Sequence, residues 1–371
     1  MVSRNNHKVI VSSNQRSESL MRVSELDKII IYPVLHKSSH HSSYSGYSKF
    51  MNFTKNLKIV KIKQSISYTI VKAYVTLFCK KITKYDTNSF YKELSVLNVV
   101  NSTSKHNHKN IIHYLDAERD IKLTTIFLKH RDKNKIIGSF HLPPKSFKNQ
   151  VLTKKYLRKI DGAIAVGYNQ IDFLKKELGI KNVKYIPHGV DTNFFQPNYL
   201  LREKNTILLV GQHLRDFKLF NRVVNELLKK DESFKFNVVL RKEYKNKITQ
   251  HSRIKVFSGI SDIKLRELYQ KSSLLFIPLI DVTACNSILE ALSCGLPIVS
   301  TDVGGNRKYL EGTKNILVKK GDRDLICFTR AIYQLLYADK DFEVSRLSRF
   351  KALKYDWRIV SEQIQTFYSQ L

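Results

Sequence analysis

The chain has 371 residues, enough for two hydrophobic cores, and its 42% hydrophobic content excludes a disordered polymer. Lys and Arg number 64 against 32 Asp and Glu, a formal net charge of +32, so an anionic partner is expected: nucleic acid, anionic lipid or a polyanionic substrate, with a genome biased toward Lys, Asn and Ile codons as the competing account. No apolar run approaches the ~20 residues of a membrane span, the first residues hold no signal-peptide core, and Cys79, Cys285, Cys294 and Cys327 lack any CxxC or metal spacing, so a cytosolic protein with reduced thiols is expected.

Residues 1–26 are polar, basic and without periodicity, and read as a flexible leader. The first strand is KIIIYPV at 28–34. The loop after it is rich in Ser and His, and its Gly46 precedes a helix through Phe50 and Phe53. A Gly-containing loop between first strand and first helix is where α/β sheets bind ligands, which makes Ser45, Gly46 and Tyr47 candidates. His36, His40 and His41 have no carboxylate or cysteine beside them and read as solvated rather than metal-binding.

The stretch 54–85 carries Lys55, Lys58, Lys61, Lys63, Lys72, Lys80, Lys81 and Lys84 and no acidic residue. Within it Ile66, Ile70, Ala73, Tyr74, Leu77 and Phe78 follow helical spacing. A basic amphipathic segment of this kind suits an anionic membrane surface. A helix packed on the core with a solvated lysine face is the competing reading. Nucleic acid is disfavoured, because no recognition fold or motif accompanies the charge.

Short apolar runs follow at 110–115 and 124–128, then a strand at 135–140 that ends on His141. A histidine just past the carboxyl end of a parallel strand points into the ligand crevice. Further strands are read at 161–166 and 183–186, with a helix between them at 170–178. A Pro-His-Gly turn and an aromatic anchor follow, and the domain boundary falls in the polar segment 196–204. The strand 206–210 ends in Gly211, where a phosphate can approach the backbone and Arg215 and Lys218 supply charge. Strands at 236–240, 254–257 and 274–277 alternate with helices, as a doubly wound sheet requires.

The densest stretch is 273–305. An apolar strand leads to Asp281, then to small polar residues, then to a helix over 287–293, a Gly-Pro break and a strand at 298–300. Ala284, Cys285, Asn286 and Ser287 stand at the mouth of that helix, where unpaired amides and the helix dipole favour an anion. Glu290 lies one turn in, within reach of a hydroxyl-bearing group. Beyond come a strand at 315–318, a helix over 325–336, and an apolar face of Trp357, Ile359, Val360, Ile364 and Phe367.

The segments LEALSCGLPIVSTDVGG (289–305) and VKYIPHGVDTNFF (183–195) resemble those of the family 4 retaining glycosyltransferases, also called glycosyl transferases group 1. The likeness spans roughly 28–371 and is densest after 183, while 54–130 resembles nothing specific. It implies the α/β GT-B fold, two Rossmann-like doubly wound parallel-sheet domains facing a cleft. An acceptor-binding domain at 27–196, a nucleotide-sugar domain at 197–355 and a helix at 356–371 crossing back to the first domain are expected.

The resemblance also implies roles. Gly211, Arg215, Lys218 and the 284–287 amides would grip the donor diphosphate, and Glu290 the ribose. His141 would position the transferred sugar, Asp281 is the acidic candidate for a sugar hydroxyl, and 45–47 would face acceptor and donor phosphates. No metal or other cofactor is expected, because fixed positive groups can stabilise the leaving group. The expected partners are a nucleotide-sugar donor and a glycan or lipid-linked acceptor, in cell-surface polysaccharide or glycolipid synthesis at the inner face of the membrane. Two departures stand out: Gln212 holds the place of a usual arginine, and Val282 that of the first of two glutamates eight positions apart. They support an alternative, a degenerate GT-B protein that binds nucleotide or glycan without turnover.

Overall fold

The computed structural model describes residues 28–35, 44–79, 84–103, 108–337 and 341–371. The basic leader, His36, His40, His41, Lys80 and Lys81 lie outside the described residues. Two parallel sheets organise the chain. The first runs in the order β1 (Ile29–Val34), β2 (Lys109–Tyr114), β3 (Asn134–Phe140), β4 (Gly162–Ala165), β5 (Val183–Tyr185). The second has the order β11 (Ile316–Val318), β10 (Ile298–Thr301), β9 (Leu274–Ile277), β6 (Thr206–Val210), β7 (Lys235–Val239), β8 (Ile254–Phe257). Its central strands β6, β9 and β10 are buried along their whole length, and β9 and most of β6 accordingly read as continuous apolar runs rather than alternating ones.

Strand order decides where a ligand can sit. From β6 the chain winds outward through β7 and β8, then returns to β9 on the other side of β6. Two connections therefore diverge from the carboxyl ends of β6 and β9, and that divergence opens a crevice. Gly211 and Arg215 follow β6, and the loop from Pro278 to Cys285 follows β9. In the first sheet the order is sequential, and Leu35, Leu115 and His141 emerge side by side from the ends of β1, β2 and β3.

The last helix, Trp357–Ser369, covers one face of the first sheet. Trp357, Val360, Ile364, Phe367 and Tyr368 pack with Ile29, Ile31, Ile111, Ile137 and Ile164. Asp356 caps it by accepting from Arg358 N at 3.0 Å. Ile359, read as part of the apolar face, is exposed instead: the helical repeat turns it away from the 357, 360, 364 and 367 stripe. The 124–128 run is a short helix, Thr124–Phe127, whose amides are held by the buried Glu93 carboxylate.

The 54–85 segment divides in two. Residues up to 66 are extended, fixed by Lys63 N donating to Ser95 Oγ (2.9 Å) and Tyr91 Oη donating to Ile66 O (2.8 Å). A helix follows at Tyr68–Phe78, of which Val71 alone is fully buried. The residues at helical spacing in this stretch thus do not all form a core-packed face.

Candidate active site

A cavity of about 380 Å³ lies between the two sheets' carboxyl ends. Its second-domain wall is made by Arg215, Asp281 and 284–287, and its first-domain wall by Tyr47, Asp116, His141 and His188. The domains touch across it. Thr283 Oγ1 donates to His141 O, Asn169 Nδ2 to Val282 O (3.2 Å), and Tyr309 Oη to Val166 O (2.6 Å).

The second-domain wall is a matter of turns. Gly211 has φ 84°, and a Cβ there would stand 2.8 Å from the Arg215 guanidinium. The chain can therefore fold Arg215 back under the strand end, where it donates to Val210 O (2.8 and 3.1 Å), His213 O (2.8 Å) and Ser287 Oγ (3.2 Å). This places a fixed cation beside the mouth of the Asn286–Ser293 helix, where the first-turn amides have no intrahelical acceptor. Arg215, rather than Gln212, thus brings the cation to this wall. Lys218 is the exposed residue of the first turn of the Phe217–Lys230 helix, outside the wall.

The Gly304-Gly305 pair explains why that loop holds its shape. A Cβ on Gly304 would lie 1.9 Å from Val282 O, and one on Gly305 2.0 Å from Thr283 O. Only glycine lets the 303–306 turn pass directly beneath the 282–283 backbone. Val282 itself is buried in the second-domain core, so a valine here occupies apolar space rather than facing solvent.

Glu290 opens not onto the main cavity but onto an annex of about 10 Å³, shared with Ser45 and Gly46. It accepts from Tyr269 Oη at 2.8 Å, and burial pushes its carboxyl up to about 8. An annex of that size holds no more than a water, so a ribose beside Glu290 requires 44–46 to move. The reason it is closed is aromatic: Tyr44 stacks on Phe194 with ring centroids 3.6 Å apart.

The first-domain wall is a matter of buried side chains. His141 Nε2 lies 2.8 Å from Leu115 O, and a carbonyl can only accept, so Nε2 carries the proton and Nδ1 is the ring's acceptor. Burial lowers its basicity, with Asp116 pulling the other way, so the ring is neutral. Glu118, also buried, accepts from the amides of His141 and Leu142 and so fixes the turn. Burial first, then the Asp116 charge, pushes Glu118 up to about 8. Tyr47 packs edge-on against His141, with centroids 4.8 Å apart. Its hydroxyl accepts from Ser139 Oγ (2.9 Å), which lies 2.8 Å from His113 Nε2, while His113 Nδ1 meets Tyr368 Oη at 2.6 Å. Burial takes His113 down to about 3, so this chain from the last helix to the cavity is uncharged.

Sequence reasoning missed Asp116, Glu118 and His188. Asp116 stands two residues past the end of β2, next to the strand that His141 follows, and that strand-end position was the available signal. His188 lay in plain view in the Pro-His-Gly turn. It is buried, 5.0 Å from the Trp357 ring and 6.4 Å from the His141 ring by centroid. Glu118 carried no signal, since its role depends on where the His141 turn comes to lie.

Two facing parallel-sheet domains with a returning terminal helix, and a cavity at both sets of strand ends, make up the GT-B fold. Residues 204–338, most of the second domain, match the family of glycosyl transferases group 1. One component of the human phosphatidylinositol N-acetylglucosaminyltransferase is 22% identical over 344 residues, covering 89% of this chain and 68% of that protein. Its Arabidopsis thaliana namesake is 25% identical over 247 residues, and the match spans only 53% of that protein's length. Among solved structures, sucrose-phosphate synthase from Thermosynechococcus elongatus superposes with a TM-score of 0.64 at 13% identity, covering 92% of this chain and 98% of that one. Anabaena HepE in complex with UDP gives 0.62 at 15% identity, covering 93% and 100%.

Proposed function

We propose that this enzyme transfers a sugar from a nucleoside-diphosphate donor to a lipid-linked acceptor, with retention of anomeric configuration. The observation that carries the proposal is the Arg215 guanidinium fixed beside the 284–287 helix mouth, facing a neutral His141 across one cavity. The bond between the sugar's anomeric carbon and the β-phosphate oxygen breaks, and its electrons pass to the diphosphate. Arg215 and the helix amides are placed to offset that charge, and the exposed Lys218 assists them. The acceptor hydroxyl attacks from the leaving-group side and gives its proton to the departing phosphate oxygen.

His141 holds the sugar. With Nε2 committed to Leu115 O, its Nδ1 accepts from a sugar hydroxyl, and a neutral ring does not compete with Arg215 for the phosphates. Asp281, with Oδ1 accepting from Val282 N, is the remaining acid on the second-domain wall for another hydroxyl. Glu290 takes the ribose once 44–46 has moved. The names of the two sequence relatives, which specify a phosphatidylinositol acceptor and an N-acetylglucosamine donor sugar, favour a lipid acceptor and make UDP-N-acetylglucosamine the first donor to test.

The test is a heat-shift and turnover panel. UDP at a hundred times its Kd stabilises a binding-competent fold by about 2.7 kcal/mol. Transfer of labelled sugar from one nucleotide sugar into lipid extract is the expected result. Stabilisation by UDP with no donor turned over would instead favour the degenerate binding protein.

A further inference from the structure

The helix Tyr68–Phe78 sits on the surface with its apolar residues outward: Ile70 is 63% exposed, Leu77 68% and Phe78 67%. The extended segment before it adds exposed Ile59 and Ile62. Beside them runs an apolar groove of about 370 Å³, floored by Val71, Leu94 and Leu97 and rimmed by Ile66, Ile70 and Phe127. A soluble surface does not usually gather this many large apolar side chains in one place.

Charge identifies what covers them. Lys55, Lys58, Lys61, Lys63 and Lys72 are all exposed on the same segment, which contains no acidic residue. The neighbouring elements do not reverse that sign. Lys122 is tied to Phe78 O (2.6 Å) and Lys129 is exposed, while Glu93 and Asp120 are buried in internal contacts. Asp86 is taken up by Arg119. Apolar side chains flanked by unopposed lysines match the boundary of an anionic bilayer, where acyl chains meet negative headgroups.

We propose that residues 55–78, with the groove behind them, form a docking surface for an anionic lipid bilayer. Among the described residues no helix is long and apolar enough to cross a membrane. The surface is prebuilt: the bonds from Lys63 N to Ser95 and from Tyr91 to Ile66 O fix the extended segment, and Tyr74 packs 5.4 Å from Phe90 by ring centroid. The span 116–127 borders both sites, with Asp116 in the cleft wall and Leu123 and Phe127 in the groove.

The test is co-sedimentation with vesicles of phosphatidylcholine, alone and with about one-third phosphatidylglycerol. It needs neither donor nor turnover, so its outcome is independent of the transfer reaction. The wild-type chain is expected to pellet with the anionic vesicles and not the neutral ones, and less as salt rises. Lys55, Lys58, Lys61 and Lys63 changed together to Gln should weaken partitioning at least about tenfold. Ile70→Glu with Leu77→Glu should do the same, while circular dichroism and melting stay those of the wild type, because both side chains are exposed. Pelleting unchanged in either variant, or no wild-type pelleting with anionic vesicles, would overturn the proposal. So would wild-type binding to a DNA duplex that outcompetes the anionic vesicles, which would assign the lysines to nucleic acid.

Discussion

The two walls of the cleft are built by different means. The second-domain wall is mostly backbone, with Arg215 and Asp281 as its charged side chains: turns after β6 and β9, a helix mouth, and glycines where another segment passes close. The first-domain wall is a packed set of side chains: Tyr47 and His188 lie against Trp357, His141 packs edge-on to Tyr47, and Tyr47 is wired through Ser139 and His113 to Tyr368. One wall can lose a functional group and keep its shape. The other shares its parts with the core, so chemistry and stability should fall together there.

Trp357→Ala gives the largest expected effect and tests the coupled wall. The indole is buried, 5.0 Å from His188 and 5.8 Å from Tyr47 by centroid, and it fills the space against Gly189. Removing a buried indole costs about 3–5 kcal/mol. Denaturant melts should show that loss, with activity falling in step. A folded, stable variant with reduced turnover alone would break the comparison.

Arg215→Ala tests the other wall. Losing a preorganised group that stabilises leaving-group charge costs about 10² to 10³ in kcat/KM. Melting should move much less than in the Trp357 variant, because the main-chain turn remains. Lys218→Ala is expected to act more weakly, about tenfold on kcat/KM, since its side chain starts outside the cavity wall and meets the diphosphate as a flexible point charge. Its melting should not change at all. An effect of Lys218→Ala equal to that of Arg215→Ala would mean that this turn closes onto the donor.

This difference also governs what could be read in advance. Backbone-built features leave a local trace: Gly211, the Gly-Gly pair and the small residues 283–287 are needed where they stand in the chain, so their spacing was visible. The strands and their alternation with helices were visible for the same reason. Side-chain networks leave none. Glu118 acts on His141 from 23 positions away, and Ser139 links Tyr47 to His113 only because three elements converge. Glu290 shows the limit in the other direction. Its place on the helix was legible, but the closure of its annex by Tyr44 depends on a stacking partner, Phe194, 150 residues further along.

Glu290 is therefore where the two walls meet, and its proton reports on both. Burial holds its carboxyl at about 8, against an ordinary 4.5, with Tyr269 and Arg215 only partly opposing the shift. Between those values the folded protein keeps a proton that the unfolded chain has released. The stability it brings is complete below about pH 4.5, falls as pH rises, and has gone above about pH 8. Glu290→Gln should flatten part of that slope in melts taken across the window. Glu118, raised to about 8, contributes with the same sign, as do Glu93, Asp120 and Asp161, whose carboxyls burial also pushes up. Ribose hydroxyls donate to a carboxylate, so a nucleotide seated at Glu290 selects the ionised form. UDP binding below about pH 8 should then release a proton, seen by calorimetry in two buffers of different ionisation heat. Affinity should rise toward pH 8 in the wild type and stay flat in Glu290→Gln. Equal proton release in the two proteins would move the ribose away from Glu290 and leave the annex closed in the bound state as well.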